Sequence, residues 1–324
     1  MIPGTTLAAA PPASKGKLMS CSSLGHRFCI TLLTLCFAAA LPVLAEAQTL
    51  ERIQAANKIV LGFETDARPF SFDDSGKPAG FSVALCNKVV DEVKSTLNLP
   101  ELASEWTPIN TQNGLDAVRN GTIDLLCGAN SITLTDSATV SFSLPIFPGG
   151  TGVVLRSDAL QDLRALLTDE QRPNRPIWRG APARTFLDKK VFSAVSGSTS
   201  EDWLNERVKS LLLSSEVAPV SSYEEGLQRV ADGQSAAFFG SLPILLNAVS
   251  HSQNASTLTV LPRQFTYEPI GLVLARGDED FRLVVNRALS HVYRDKGFRE
   301  LFTQWFGTPE EALVIFFTQT VLPD

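Results

Sequence analysis

The sequence predicts an α/β fold built as two lobes, each a largely parallel sheet flanked by helices. Three observations carry that expectation. Short apolar runs alternate with amphipathic helical stretches, an order that sets strands side by side in parallel with helices across their faces. A short internal repeat reads helix, glycine, strand in both LDAVRNGTIDLLC (115–127) and LQRVADGQSAAFF (227–239), one copy for each lobe. The chain has 324 residues, 44% of them hydrophobic and 19% charged, which is enough to bury two cores.

Taken from the N-terminus, the first 47 residues form a leader. Arg27 precedes the apolar run FCITLLTLCFAAALPVL and the tripeptide Ala45-Glu46-Ala47, the charged, apolar and small-residue regions of a secretory signal cleaved near Ala47. The run is short for a bilayer span and is interrupted by Pro42, and Met19 offers a more ordinary start than Met1. Neither Cys29 nor Cys36 follows a small residue, as a lipoprotein signal requires, so the exported chain is expected to be free of a lipid anchor; it is also expected to be a monomer. Of 28 basic and 34 acidic side chains, Lys15, Lys17, Arg27 and Glu46 leave with the leader, giving 25 and 33 and a net charge of −8. That balance argues against a nucleic-acid partner. Cys86 and Cys127 are the cysteines that remain; in an oxidising compartment they either pair or stay as buried thiols. His251 and His291 lie far from them and show no ligand spacing, so neither a metal nor another cofactor is expected.

Downstream, KIVLGF (58–63) reads as a buried strand, SVALCNKVVDEVKSTL (82–97) as an amphipathic helix, EWTPI as a strand, GLDAVRNG as a helix end and IDLLC (123–127) as a strand. In each copy of the repeat the glycine stands where a helix terminates. Capping boxes at Ser198 to Glu201 and Ser222 to Glu225 start two further helices. One stretch resists a simple reading. NSITLTDSATVSFSLP (130–145) has a hydroxyl at every odd position from Ser131 to Ser143, while Asp136 alone is polar among the even ones between them. As a single strand it would bury a lone carboxylate, which is very costly.

The opening ERIQAANKIVLGFETDARPFSFDDSGKPAGFSVALCNKVV resembles the extracytoplasmic solute-binding proteins of polar amino-acid ABC importers, nearest their glutamate/aspartate-binding branch. NGTIDLLCG, VSFSLPIF, VSGSTSEDWL and the closing GFRELFTQWFG follow in that family's order, so the likeness spans about Leu50 to Gly307. It implies a type II periplasmic-binding-protein fold with two lobes, a two-strand hinge and a ligand in the cleft between them. Carried onto this chain, lobe 1 is 48–148 plus 270–324 and lobe 2 is 149–269, with crossings near FPGGTG and YEPIG. Gly149, Gly150 and Pro269 become hinge candidates, the glycines because they tolerate large φ/ψ changes. ALLTDEQRPNRPIWRGAPARTF (165–186) looks inserted relative to the family and reads as a surface loop.

An open α/β sheet binds ligands beyond the carboxyl ends of its strands, where a helix N-terminus offers unpaired N–H groups. Ser198 and Thr199 lie between the strand VFSAV and such a helix, as caps or as ligand contacts. Ser131 and Thr133 are further hydrogen-bonding candidates. Phe70 and Phe72 suggest an aromatic wall, at least one of them belonging to the core. Aligned on VSFS, Asp136 falls in a short helical turn after a strand, where the family carries an arginine for the ligand's α-carboxylate. Glu64 replaces an arginine of the glutamate/aspartate branch, and Gly240 falls about where an aspartate holds the ligand's ammonium. A shift of register that brought Arg68 or Arg119 to the cleft would restore anion binding.

Three readings follow. The first is the periplasmic binding component of an ABC importer that closes on a small polar solute, an amino acid or an amine, and presents the closed form to a membrane permease. The second is an accessory or sensory protein of the same fold with a protein partner or an atypical ligand. The third is a periplasmic dehydratase-like enzyme using Glu64 and Asp136 as acid and base. With no nucleophile–base pair in the sequence, the first reading leads and the chain is expected not to be an enzyme.

Overall fold

The computed structural model describes residues 48–110, 112–168 and 186–323. The leader and most of the 165–186 segment therefore lie outside the described residues. The described part of that segment is not loop: Ala165 to Thr168 complete the helix Gln161–Thr168, whose Leu163 and Leu167 are buried.

Two sheets organise the molecule. The first joins β1 (Lys58–Glu64), β5 (Ala103–Ile109), β6 (Leu125–Ser131), β7 (Val140–Phe142), β8 (Phe147–Gly149) and β14 (Glu268–Ala275). Its path runs β5-β1-β6-β14-β7, with β8 also on β14. The second joins β9 (Thr151–Arg156), β10 (Val191–Val195), β11 (Glu216–Val220), β12 (Ala237–Ser241) and β13 (Leu258–Val260) in the order β11-β10-β12-β9-β13. A three-stranded ribbon of β2 (Asp66–Ala67), β3 (Ser71–Asp74) and β4 (Lys77–Ala79) follows β1.

The α/β architecture and two-strand crossing are those expected, but the sheets are mixed rather than largely parallel. β5, β1 and β6 run parallel, as do β11, β10 and β12. β14 is antiparallel to β6, β7 and β8, and β9 is antiparallel to β12 and β13. The strands that carry the chain between the sheets cause this, because a strand arriving from the other lobe meets the parallel set from the opposite direction. At one crossing only Gly150 separates β8 from β9, and β8 pairs with β14 through Gly149 and Glu268.

Both copies of the repeat fold alike. Gly121 follows the helix α3 (Gly114–Arg119) and Gly233 follows α6 (Tyr223–Ala231), with φ of +66° and +74°, and their N–H groups bond the carbonyls of Val118 and Val230. Only glycine adopts that left-handed conformation without a steric cost, which is why the helices stop there. The helices α1 (Thr49–Ala56), α2 (Phe81–Leu97), α8 (Glu279–Arg294), α9 (Phe298–Phe306) and α10 (Glu311–Thr320) gather around the first sheet's larger core. A smaller cluster of Val118, Ile123, Leu126, Val140, Phe142 and Val273 forms a separate core. In the second sheet, Val153, Leu155 and Phe239 belong to one core and Val154, Val195 and Phe238 to another, as period-2 alternation requires of a sheet buried on two sides. A disulfide between Cys86 and Cys127 fastens α2 to β6.

Candidate functional site

The carboxyl ends of β1, β6, β10 and β12 converge on one cavity of about 130 Å³ between the two sheets. Glu64 reaches it from the end of β1, Asp66 from the start of β2, and Asn130 and Ser131 from the end of β6. Gly197, Ser198 and Thr199 reach it from the turn into α5 (Thr199–Ser210), and Ser241 from the end of β12. Glu268 reaches it from the crossing strand β14, and Asp136 lies on its wall. Tyr223 and Ile244 contribute from the second lobe, and both also touch the first lobe's core, so the lobes meet around the cavity.

Glu64 is the most desolvated of the cavity's acids, 4% exposed. One carboxylate oxygen accepts the Ala129 N–H at 2.9 Å. Burial pushes its pKa up to about 7, against the lowering effect of the Ala129 N–H; Asp66 adds to the rise and Asn130 slightly offsets it. The Asp66 carboxyl is itself raised by desolvation. At Gly128 an added Cβ would fall 2.5 Å from both the Glu64 carboxyl carbon and the Asn130 amide nitrogen, so a side chain there is excluded by the acid it adjoins. Burial also holds the Tyr223 hydroxyl well above the ordinary tyrosine range, and that hydroxyl accepts the Ser241 N–H at 3.2 Å.

Glu268 has the opposite surroundings. Oε2 accepts from Thr199 at 2.5 Å and Ser131 at 3.1 Å; Oε1 accepts from Thr266 at 2.5 Å and Thr151 at 3.1 Å. The Thr199 and Ser131 hydroxyls, one from each lobe, approach to 3.4 Å. Thr151 also meets the buried Ser200 hydroxyl at 2.9 Å.

Asp136 begins a 3₁₀ turn, Asp136–Ala138, as expected, and the sequence's buried-carboxylate problem disappears because it is only half-buried. The Thr133 hydroxyl donates to its carboxylate at 2.7 Å and accepts its N–H at 2.9 Å. Thr133 is therefore spent within the turn, not on the cavity wall. Ser198 caps α5, accepting the Glu201 N–H at 3.2 Å and donating to Val195 O at 2.6 Å, while lining the cavity.

Several expected positions move. Phe70 and Phe72 form no aromatic wall: both are buried, Phe70 against Phe147 and Phe306 and Phe72 against Trp305, because α9 delivers rings to that side of the ribbon. Gly240 does not line the cavity; its missing side chain makes room for the Tyr223 ring, 2.8 Å from an added Cβ, and Ser241, one residue on, faces inward instead. The Ser241 hydroxyl is buried without a hydrogen-bond partner among the described residues. Gly149 and Gly150 are glycines for space: an added Cβ would meet Glu268 O at 2.8 Å and Thr266 O at 2.0 Å. Pro269 pairs with Pro148 in the same crossing. Neither candidate rescuer arrives. Arg68 stacks on Phe72, 3.5 Å from the ring centre, and Arg119 pairs with Asp116 and donates to Thr139. Asp66, Thr151, Tyr223, Ser241 and Glu268 were not anticipated.

Two α/β lobes on a two-strand crossing, with a polar cavity at their strand ends, define a solute-binding protein. The chain belongs to the bacterial extracellular solute-binding proteins, family 3, whose model matches residues 59–308. It is 27% identical over 292 residues to an L-glutamate/L-aspartate-binding protein of Pseudomonas aeruginosa, covering 87% of this chain and 89% of that one. It is 23% identical over 263 residues to an ABC transporter glutamine-binding protein of Bacillus subtilis, covering 81% and 85%. Among solved structures it superposes on an ancestral amino acid-binding protein described as a precursor of cyclohexadienyl dehydratase, with a TM-score of 0.63 and 22% identity over 80% of this chain and all of that one. It superposes also on an ancestral arginine-binding protein bound to arginine, with a TM-score of 0.62 and 22% identity, covering 78% and 99%.

Proposed function

We propose that the protein is the periplasmic solute-binding component of an ABC importer and that its cleft takes a small solute bearing a positively charged amine. One observation carries the choice of solute: Glu64, Asp66, Asp136 and Glu268 all face the cavity, and among the described lining residues there is no lysine or arginine. A dicarboxylate such as glutamate would bring two negative charges into that wall, and close like charges in a desolvated site cost several kcal/mol. An ammonium group placed by Glu64 meets a partner that has already lost solvent, with the more exposed Asp66 carboxylate beside it. The role is binding without catalysis, in keeping with the solute-binding relatives.

The mechanism is closure. The two crossing strands permit rotation of one lobe against the other, and a solute shifts the population toward the closed form only by the contacts it gains there. Thr199 and Ser241 on one lobe and Glu64 and Asn130 on the other are the groups such a solute would bridge. The exported chain, Gln48 onward, then acts as a monomer delivered to its membrane permease. Thermal unfolding of this form against cationic amines, neutral amino acids, glutamate and aspartate tests the reading. A bound cation at 100 times its Kd should add about 2.7 kcal/mol of stability, visible as a higher Tm. A shift with glutamate or aspartate, and none with any cation, would overturn it.

A further inference from the structure

The cationic reading leaves open whether the solute also carries a carboxylate, and the crossing strand bears on that. We propose that Glu268 is an internal carboxylate occupying the cleft's anion-binding position, so that the protein takes amines lacking a carboxylate and rejects the amino acids that yield them by loss of CO₂. This rests on the proposed function above and narrows its solute class.

A carboxylate offers about four lone-pair sites, and Glu268 fills them with four hydroxyls, those of Ser131, Thr151, Thr199 and Thr266. Two of these donors sit where a solute's carboxylate would seek them. Thr199 opens the first turn of the twelve-residue helix α5, where unpaired N–H groups and the helix dipole favour an anion, and Ser131 ends β6 on the facing lobe. Nearby capacity is also taken: Glu201 accepts the Gly197 N–H at 2.7 Å. With no lysine or arginine among the described lining residues, a second carboxylate entering the cleft would have to displace Glu268 from its donors or lie beside it unpaired. At the other end, Glu64 and Asp66 remain for an ammonium, and the buried, unpartnered Ser241 hydroxyl can accept one of its N–H groups.

A purely structural Glu268, fastening the crossing, would affect every solute alike; an occupant of the anion position would affect only solutes that carry a carboxylate. Calorimetric titration of the exported chain with matched pairs separates the two: cadaverine against lysine, putrescine against ornithine, agmatine against arginine. The expected result is at least one amine bound about a hundredfold more tightly than its parent amino acid. That ratio should collapse in Glu268→Ala, which frees the hydroxyls for a solute's carboxylate, and shrink in Glu268→Gln, which keeps the shape and removes the charge. Equal affinity for amine and parent amino acid in the unaltered protein overturns the inference and leaves the cationic reading standing. So does a preference for the amine that survives unchanged in both variants. No binding by any cation overturns both. If neither variant folds, equal affinity for amine and parent amino acid in the unaltered protein still overturns the inference.

Discussion

The cavity holds two glutamates in contrasting corners. Glu64 is almost wholly buried with one N–H as its clear hydrogen-bond partner, whereas Glu268 is only partly buried and satisfied by four hydroxyls. The same side chain is held at a cost in one place and at ease in the other. The lesson is that a carboxylate's value to a ligand depends on what it lacks. Glu64 has unmet demand for a positive partner, while Glu268 has already spent its capacity inside the protein.

Four measurements break or sharpen that contrast. The largest effect belongs to Glu64→Gln, which should weaken binding of a cationic amine roughly a hundredfold at pH 8, since a lost partner leaves a buried charge uncompensated. A loss under threefold would move the ammonium elsewhere. Next is the stability of the unliganded protein against pH. Burial raises the Glu64 pKa from 4.5 to about 7, so the folded state holds its proton more tightly than the unfolded one. Stability from this group is therefore full below pH 4.5 and falls as pH rises toward 7, by about 3 kcal/mol in all. Urea unfolding at several pH values should show the decline in the unaltered protein and not in Glu64→Gln; parallel curves would refute the assignment. Cation affinity should move the opposite way, rising through the same range as the proton leaves.

Third, Gly128→Ala should destabilise by about 1–3 kcal/mol, because the new methyl meets a carboxyl that has nowhere to retreat. A neutral result would mean that the Glu64 corner is slack. Smallest, Thr151→Val removes one of the four donors to Glu268 and should cost about 1 kcal/mol in urea unfolding. A loss of 3 kcal/mol or more would show that the hydroxyl cage lacks redundancy.

Much of the fold was legible because its signals are local. The twin glycines announced two helix stops, and both are left-handed. Each capping-box serine accepts the predicted N–H at 3.2 Å. The boxes' glutamates, however, reach one residue further back than the motif implies, to Gly197 and Ser221. The site was legible only in part. Glu64 and Asp136 stood out as charges in unusual settings, but Glu268 sits in an ordinary strand start, and three of its four partners lie 69, 117 and 137 residues away. Nothing local marks such a convergence. Gly240 missed by one residue, and in a strand one residue is the difference between facing the cavity and facing away. The phenylalanines misled because hydrophobicity alone does not separate a wall from a core, and the rings that cover them come from a helix more than 200 positions later.

The charges are unevenly shared between the lobes. Glu64, Asp66 and Asp136 stand on the first lobe's side of the cavity, Glu268 stands on the crossing strand, and the second lobe offers hydroxyls, a helix start and the Tyr223 ring. Such an arrangement divides the time course of capture. Long-range attraction belongs to the acidic lobe, so its substitutions should alter the association rate and the dependence of that rate on salt. The second lobe acts only once it has swung shut, so changes at Ser198 or Ser241 should shorten residence while arrival is untouched. One half of the molecule sets how often a solute is caught, and the other how long it is kept.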